Sequence, residues 1–178
     1  VIGIGGGYQI LGQRLEDPYD TEAGLGAQEG LGLLPCVTVY EKAKTTFQVE
    51  GEIVAGQGWW SRLRGRMVKG YEIHMGQTRL VGHAQPLLEI TWRSGRPVQV
   101  FDGASSGSGL GFGTHLHGFF DNPDVLLAVV NHLRRRKKLP PLGPGDLSRC
   151  RREESYDRLA AAVRQAVNIR RIKEIMGL

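Results

Sequence analysis

Twelve residues at the start of the chain, Val1-Ile-Gly-Ile-Gly-Gly-Gly-Tyr-Gln-Ile-Leu-Gly12, restrict its folding more than any other stretch. A short apolar run passes through three consecutive glycines into a segment with Ile10, Leu11 and Leu15 on one side. The pattern predicts a buried strand over 1–4, a sharp turn at 5–7 and a short helix over 8–15, ended by Asp17-Pro18. A strand that turns on small residues into a helix N-terminus has the geometry of a nucleophile elbow. The reactive side chain stands at the apex, and the next backbone N–H can help hold an oxyanion. A helix N-terminus also favours a thiolate there. A dinucleotide-binding loop needs G-x-G-x-x-G, and after Gly3 and Gly5 the third position is Tyr8. A phosphate-binding loop fails too, since no Gly-Lys-Ser/Thr follows.

Glycine recurs beyond this opening. The chain has 26 glycines, roughly twice the usual share, grouped in phrases such as Gly24-Leu-Gly26, Gly30-Leu-Gly32 and Gly107 to Gly113. They lack the strict period of collagen and point to tight turns and close backbone approaches, hence a loop-built site. Alternating or β-branched patterns predict strands over 37–40, 45–49, 67–74, 88–92, 97–101 and 113–116. Residues 56–65, with Trp59 and Trp60, carry no clear period; both indoles fit packing better than ligand contact. The period then changes. Asn122-Pro123 opens a helix with Leu126, Val129, Val130 and Leu133 as its stripe, running to about 136. A second helix is predicted over about 153–167, striped by Tyr156, Leu159, Val163 and Val167, and Asn168 can cap a last short one. The organisation expected is an α/β domain over 1–138, a Pro/Gly linker over 139–150, and a helical extension over 151–178 packing on the same domain.

Charge and composition exclude several classes. The longest apolar run, Val125 to Val130, cannot cross a bilayer, so no membrane partner is expected. No secretory signal opens the chain, which makes the cytoplasm the default expectation. Two cysteines, Cys36 and Cys150, make neither a disulfide framework nor a four-cysteine zinc site. Net charge is +5, concentrated in Arg134 to Lys138 and in Arg149, Arg151 and Arg152. Without stacking aromatics or a reader motif, those runs read as a solvated helix end and a linker, and nucleic acid is not the expected partner. His115 and His117 would share one strand face, yet no third ligand accompanies them in the motif, so no metal is expected.

Several phrases together resemble one family: Gly3 to Gly12, Asp17-Pro18, Gly30-Leu-Gly-Leu-Leu-Pro35, Gly70-Tyr-Glu-Ile-His-Met-Gly-Gln-Thr78, Asp102-Gly103, Gly113-Thr-His-Leu-His-Gly-Phe-Phe-Asp-Asn122 and Arg152 to Leu159. In this order and spacing they are similar to the C-terminal glutaminase domain of the cobyric acid synthases, a divergent class I glutamine amidotransferase. Related glutaminases, the cobyrinate a,c-diamide synthases and the lipid II amidating enzymes, share that architecture. The resemblance implies an α/β, flavodoxin-like fold with a mostly parallel sheet flanked by helices, here truncated at its start. It also implies a role in cobalamin biosynthesis. A Cys thiolate attacks the side-chain amide of glutamine, a His acts as base and then acid, and the released ammonia reaches a synthetase domain. That domain amidates peripheral carboxylates of adenosylcobyrinic acid a,c-diamide.

Carried over by position, His117 is the catalytic histidine, Gly5 the nucleophile position, Gly6 an oxyanion N–H donor, and Gly6, Gly7, Tyr8 and Gln9 the substrate-binding turn. Tyr8 suits the wall of the site or the core equally. The Glu that usually follows the histidine is replaced by Phe119, leaving Glu72 and Asp121 as candidate orienting groups. No cofactor is expected in this domain; ATP and Mg²⁺ belong to the synthetase. Glutamine and a synthetase domain are the expected partners. Two departures stand out. The family's Cys is Gly5 here, and neither Cys36, in an apolar strand, nor Cys150, among arginines, replaces it. The chain is therefore expected to lack glutaminase activity, or to be a non-catalytic binding module. The family's first strands, a second oxyanion loop and the synthetase domain are also missing, so the chain is expected to be a fragment of a longer protein.

Overall fold

Two long strands that alternate between inward and outward side chains dominate the first part of the molecule: β4 (Cys36–Ile53) and β5 (Met67–Leu80), antiparallel from Cys36 opposite Leu80 to Glu52 opposite Met67. A computed structural model describes residues 1–22, 24, 26–56, 58–147 and 150–177, with the side chains of 150–153 outside the description. The readings of Cys150 and of Arg149, Arg151 and Arg152 fall outside the described residues. The two strands predicted over 37–40 and 45–49 are one. The register shifts between Tyr40 and Thr45, so Glu41 to Lys44 form an irregularity that the ladder spans rather than a break.

Around this pair the sheet gains β2 (Arg14–Glu16), β3 (Ala27–Glu29), β6 (Leu88–Arg93), β7 (Arg96–Asp102) and β10 (Leu116–His117). A second sheet joins β1 (Ile2–Ile4), β9 (Phe112–Thr114) and β8 (Ala104–Ser105). The α/β class therefore holds, but the sheets are mixed rather than mostly parallel. Among the described residues, β1 with β9 and β2 with β4 run parallel and the other pairings are antiparallel. The reason lies in the connections. Short turns, such as Ser94-Gly95 between β6 and β7, join antiparallel neighbours, whereas parallel ones need a longer crossover.

The opening helix is shorter than its periodicity predicts: α1 spans Gly6–Leu11 and stops at Gly12, whose N–H bonds Gln9 O at 3.0 Å. Leu15 consequently belongs to β2, not to a helix. The segment 56–65 contains a 3-10 helix, Gly58–Leu63, which delivers Trp60 to the core with no exposed surface. There Trp60 meets Phe112 edge-on at 4.3 Å and lies beside Phe119 and Leu116.

Helix α2 (Pro123–Arg136) starts where Asn122-Pro123 predicts. Asn122, however, does not bond the helix N–H groups through its side chain. Its Oδ1 accepts from Lys69 N (2.9 Å), and its Nδ2 donates to the carbonyls of Lys69, Gly118 and Phe119. One amide thus ties the β5 backbone to the turn after β10. Replacing Asn122 by Ala should lower stability by about 1–3 kcal/mol, because backbone groups lose their partners; urea unfolding followed by circular dichroism measures it.

The chain forms two compact units, Val1–Pro141 and Leu142–Leu178. The second holds α3 (Cys150–Ala166) and α4 (Ile169–Met176). Asn168 caps α4, accepting from Arg171 N at 2.9 Å.

Candidate active site at the glycine bend

Parallel pairing of β1 with β9 sets Ile4 opposite Thr114, and the ladder continues one step as Gly5 N donates to Thr114 O at 3.0 Å. The bend therefore emerges beside the residues that follow Thr114. Gly5 adopts φ 57° and ψ −123°, a conformation that strains residues with a Cβ. Its carbonyl accepts from Tyr8 N and Gln9 N, closing the first turn of α1.

A Cβ built on Gly5 would lie 2.9 Å from Nε2 of His117. The apex and the imidazole, 112 positions apart in the chain, face each other directly. The His117 ring stacks on Tyr71, its partner across the β10–β5 ladder, at 5.1 Å and 10°. Close backbone approach makes this possible: a Cβ on Gly70 would fall 2.1 Å from the carbonyl oxygen of His117.

The other predicted residues distribute unequally around this pair. Gly6 and Gly7 open α1, with free space where side chains would project. Tyr8 is buried, its ring against Gly113 and edge-on to His115 at 5.0 Å. Burial, with the nearby Cys36 and Asp102 adding to it, raises its phenol far above the ordinary range. Tyr8 is therefore core. Gln9 is buried as well, its amide held between the hydroxyl of Tyr40, which donates to Oε1 at 3.1 Å, and Nε2 of His115 at 3.4 Å.

Glu72 follows Tyr71 on β5, so alternation sends its side chain to the face away from His117. There it pairs with Arg93, Oε2 to Nε at 2.9 Å and Oε1 to Nη2 at 3.1 Å. Burial raises the Glu72 carboxyl above its ordinary value, against the opposing pull of Arg93. Asp121 closes the 3-10 turn 119–121, its N–H bonded to Gly118 O and its Oδ2 beside Gly118. Cys36 is buried, and burial pushes its thiol up to about 11, so it carries almost no thiolate at neutral pH.

Sequence reasoning did not single out the polar cluster behind the bend. Asp102, at the end of β7, accepts from Nδ1 of His115 (2.8 Å), from His115 N (3.0 Å) and from the Thr114 hydroxyl. The signals were the Asp102-Gly103 phrase and the phrases that contain Glu72, His74 and His115, which nothing in the sequence joined to it. The partner of Asp102 lies thirteen residues on and is brought near by the β8–β9 hairpin. Glu72, His74, Arg93, Asp102 and His115 border a cavity of about 240 Å³. Among the described residues no three His, Cys, Asp or Glu side chains are grouped to hold a metal. No described helix is long and apolar enough to cross a membrane.

A strand–glycine–helix bend whose apex backbone disfavours a Cβ, opposed by an imidazole from a neighbouring strand, is similar in layout to α/β domains of the nucleophile-elbow type. Residues 1–125 match the family of CobB/CobQ-like glutamine amidotransferase domains. The chain belongs to that family. It is 47% identical over 178 residues to the cobyric acid synthase of Desulforamulus reducens, covering all of this chain and 35% of the relative. Against the cobyric acid synthase of Citrobacter koseri it is 45% identical over 177 residues, 99% of this chain and 34% of the relative. The chain thus spans about a third of the length of the curated relatives it matches. In fold it is similar to a chain of the PurLQS structure from Thermotoga maritima, with a TM-score of 0.50 at 15% identity, over 74% of this chain and 61% of that one.

Proposed function

We propose that this chain is the glutaminase portion of a cobyric acid synthase, binding glutamine at the bend but unable to hydrolyse it. The observation that carries this reading is the 2.9 Å between the Cβ position of Gly5 and Nε2 of His117. In an active site of this kind a thiol stands at the apex and the imidazole takes its proton, so that the thiolate attacks the carboxamide and ammonia leaves. In this reading His117 is the group that would take that proton, supported by its approach to the apex, and Gly6 N–H is the oxyanion donor next to it. Gly5 offers no nucleophile. Gln9 is the proposed contact for substrate glutamine; its amide is engaged by Tyr40 and His115, so contact exchanges one of those two bonds. Of the candidate orienting groups, Asp121 is on the turn next to His117, while Glu72 is committed to Arg93. The ammonia acceptor in this reading is a synthetase domain that uses ATP and Mg²⁺, as the family resemblance implies.

The test is ammonia release from glutamine by the purified chain. None is expected above the blank; sustained turnover that survives Gly5 unchanged would overturn the assignment of the apex. Calorimetry with glutamine tests the binding half of the reading. The chain should bind, and Gln9→Ala should weaken binding about tenfold, the effect of one lost hydrogen bond. Absence of heat with the parent chain would overturn glutamine binding.

A further inference from the structure

We propose that Asp102 and His115 are positioning residues that set the orientation of the Gln9 amide behind the bend. The inference deepens the reading above, since Gln9 is the proposed glutamine contact, but its test does not depend on glutamine.

Asp102 is buried and accepts from three donors, the Thr114 hydroxyl and both the backbone and ring N–H of His115. Three donors suit an ionised, acceptor-only carboxylate. Burial alone would raise its proton affinity, yet the hydrogen bonds from His115 and from the Thr114 hydroxyl hold it below the ordinary aspartate value. Nδ1 of His115 faces that carboxylate and donates to it, while the Gln9 amide nitrogen faces Nε2, so in this arrangement Nε2 is the acceptor. Two groups reach Nε2: the Gln9 Nε2 at 3.4 Å and the Thr78 hydroxyl at 3.3 Å. At the far end of the same amide the Tyr40 hydroxyl donates to Gln9 Oε1. Donors thus run one way, from Tyr40 to Gln9, from Gln9 to His115 and from His115 to Asp102. Turning the amide over would set its carbonyl against the lone pair of Nε2.

The surroundings keep the imidazole from choosing another pose. The His74 ring stacks on it at 4.2 Å, and the Tyr8 ring meets it edge-on. His74 itself is turned by its Nδ1 contact to Gly76 O at 2.7 Å. The arrangement also joins three elements that share no ladder: α1, the end of β7, and the kink at His115 between β9 and β10. Gln9 in α1 is one helical turn from the apex, and His115 is two residues from His117. The same pair that orients the amide thus spans both sides of the bend.

Nitrogen-15 NMR on the full chain tests this directly. In the parent, long-range spectra should show His115 protonated at Nδ1 and bare at Nε2, and the Gln9 side-chain amide protons should exchange slowly with solvent. Asp102→Asn should remove the tautomer preference and speed exchange of the Gln9 amide about tenfold, as expected for one weakened hydrogen bond. If that variant fails to fold, Tyr40→Phe serves. It removes only the donor to Oε1, and should leave the His115 tautomer intact while speeding Gln9 exchange. A parent with the proton on Nε2, or a Gln9 amide whose exchange ignores whichever variant folds, overturns the inference. Loss of glutamine binding with these signatures present would instead count against the glutamine reading.

Discussion

Gly5→Cys is expected to create a fast-reacting thiol and to cost stability at the same time. The backbone at φ 57° and ψ −123° disfavours any Cβ, by about 1–3 kcal/mol, equivalent to about 2–12 °C in a chain of this size. The new Cβ would meet His117 Nε2 at 2.9 Å, tighter than carbon and nitrogen tolerate, so the ring must give by a few tenths of an ångström. His117 is only partly buried and has room to do so. A free thiol is a few per cent thiolate at neutral pH; an adjacent imidazole that accepts the proton raises that share about tenfold. Alkylation by iodoacetamide, read by mass spectrometry, should therefore run about ten times faster in Gly5→Cys than in Gly5→Cys/His117→Ala. Cys36 is the internal control, since burial pushes its thiol up to about 11 and should keep it nearly unlabelled. Equal rates in the single and double variants would separate the bend from the imidazole in solution, and the proposed site would go with that result.

Trp60→Ala should be the most damaging core substitution. The indole is fully buried in one core cluster with Phe112, Phe119, Leu116 and Val125, and with Leu63 it ties the 3-10 helix at 58–63 to that core. Removing it forfeits transfer energy and leaves a cavity, about 3–5 kcal/mol together, or about 6–20 °C. Trp60→Phe should cost much less. The buried indole N–H has no hydrogen-bond partner among the described residues, and deleting an unsatisfied donor returns about 1–3 kcal/mol against the lost contacts. Thermal unfolding of the three proteins decides the matter. A phenylalanine variant as unstable as the alanine one would mean that the N–H is satisfied after all.

Elements whose signals are local were legible in the chain. The strand–glycine–helix opening, the Asn122-Pro123 start of α2 and the Asn168 cap of α4 each rest on residues within one or two turns of one another. The strands over 88–93 and 96–102 were likewise marked by their own alternation. Where α1 ends was not, because Gly12 is held by contacts to Cys36, in another element. Nor was the single strand over 36–53, whose middle residues look like a loop until β5 pairs on both sides of the irregularity.

The amino-acid order by itself determined that the chain belongs among α/β glutaminase-like domains, that its apex carries glycine, and that His117 was the imidazole to watch. Turn chemistry, periodicity and motif spacing are properties of neighbouring residues, and they survive without a fold. Only the tertiary structure decided which groups stand opposite that apex: His117 against Gly5, Tyr71 under His117, Glu72 turned to Arg93, and Asp102 on His115 with Gln9 behind it. Apart from Asp102 and His115, these contacts join residues twenty to more than a hundred positions apart. Strand register and alternation then set which face each side chain takes, and a slip of one residue would exchange them all.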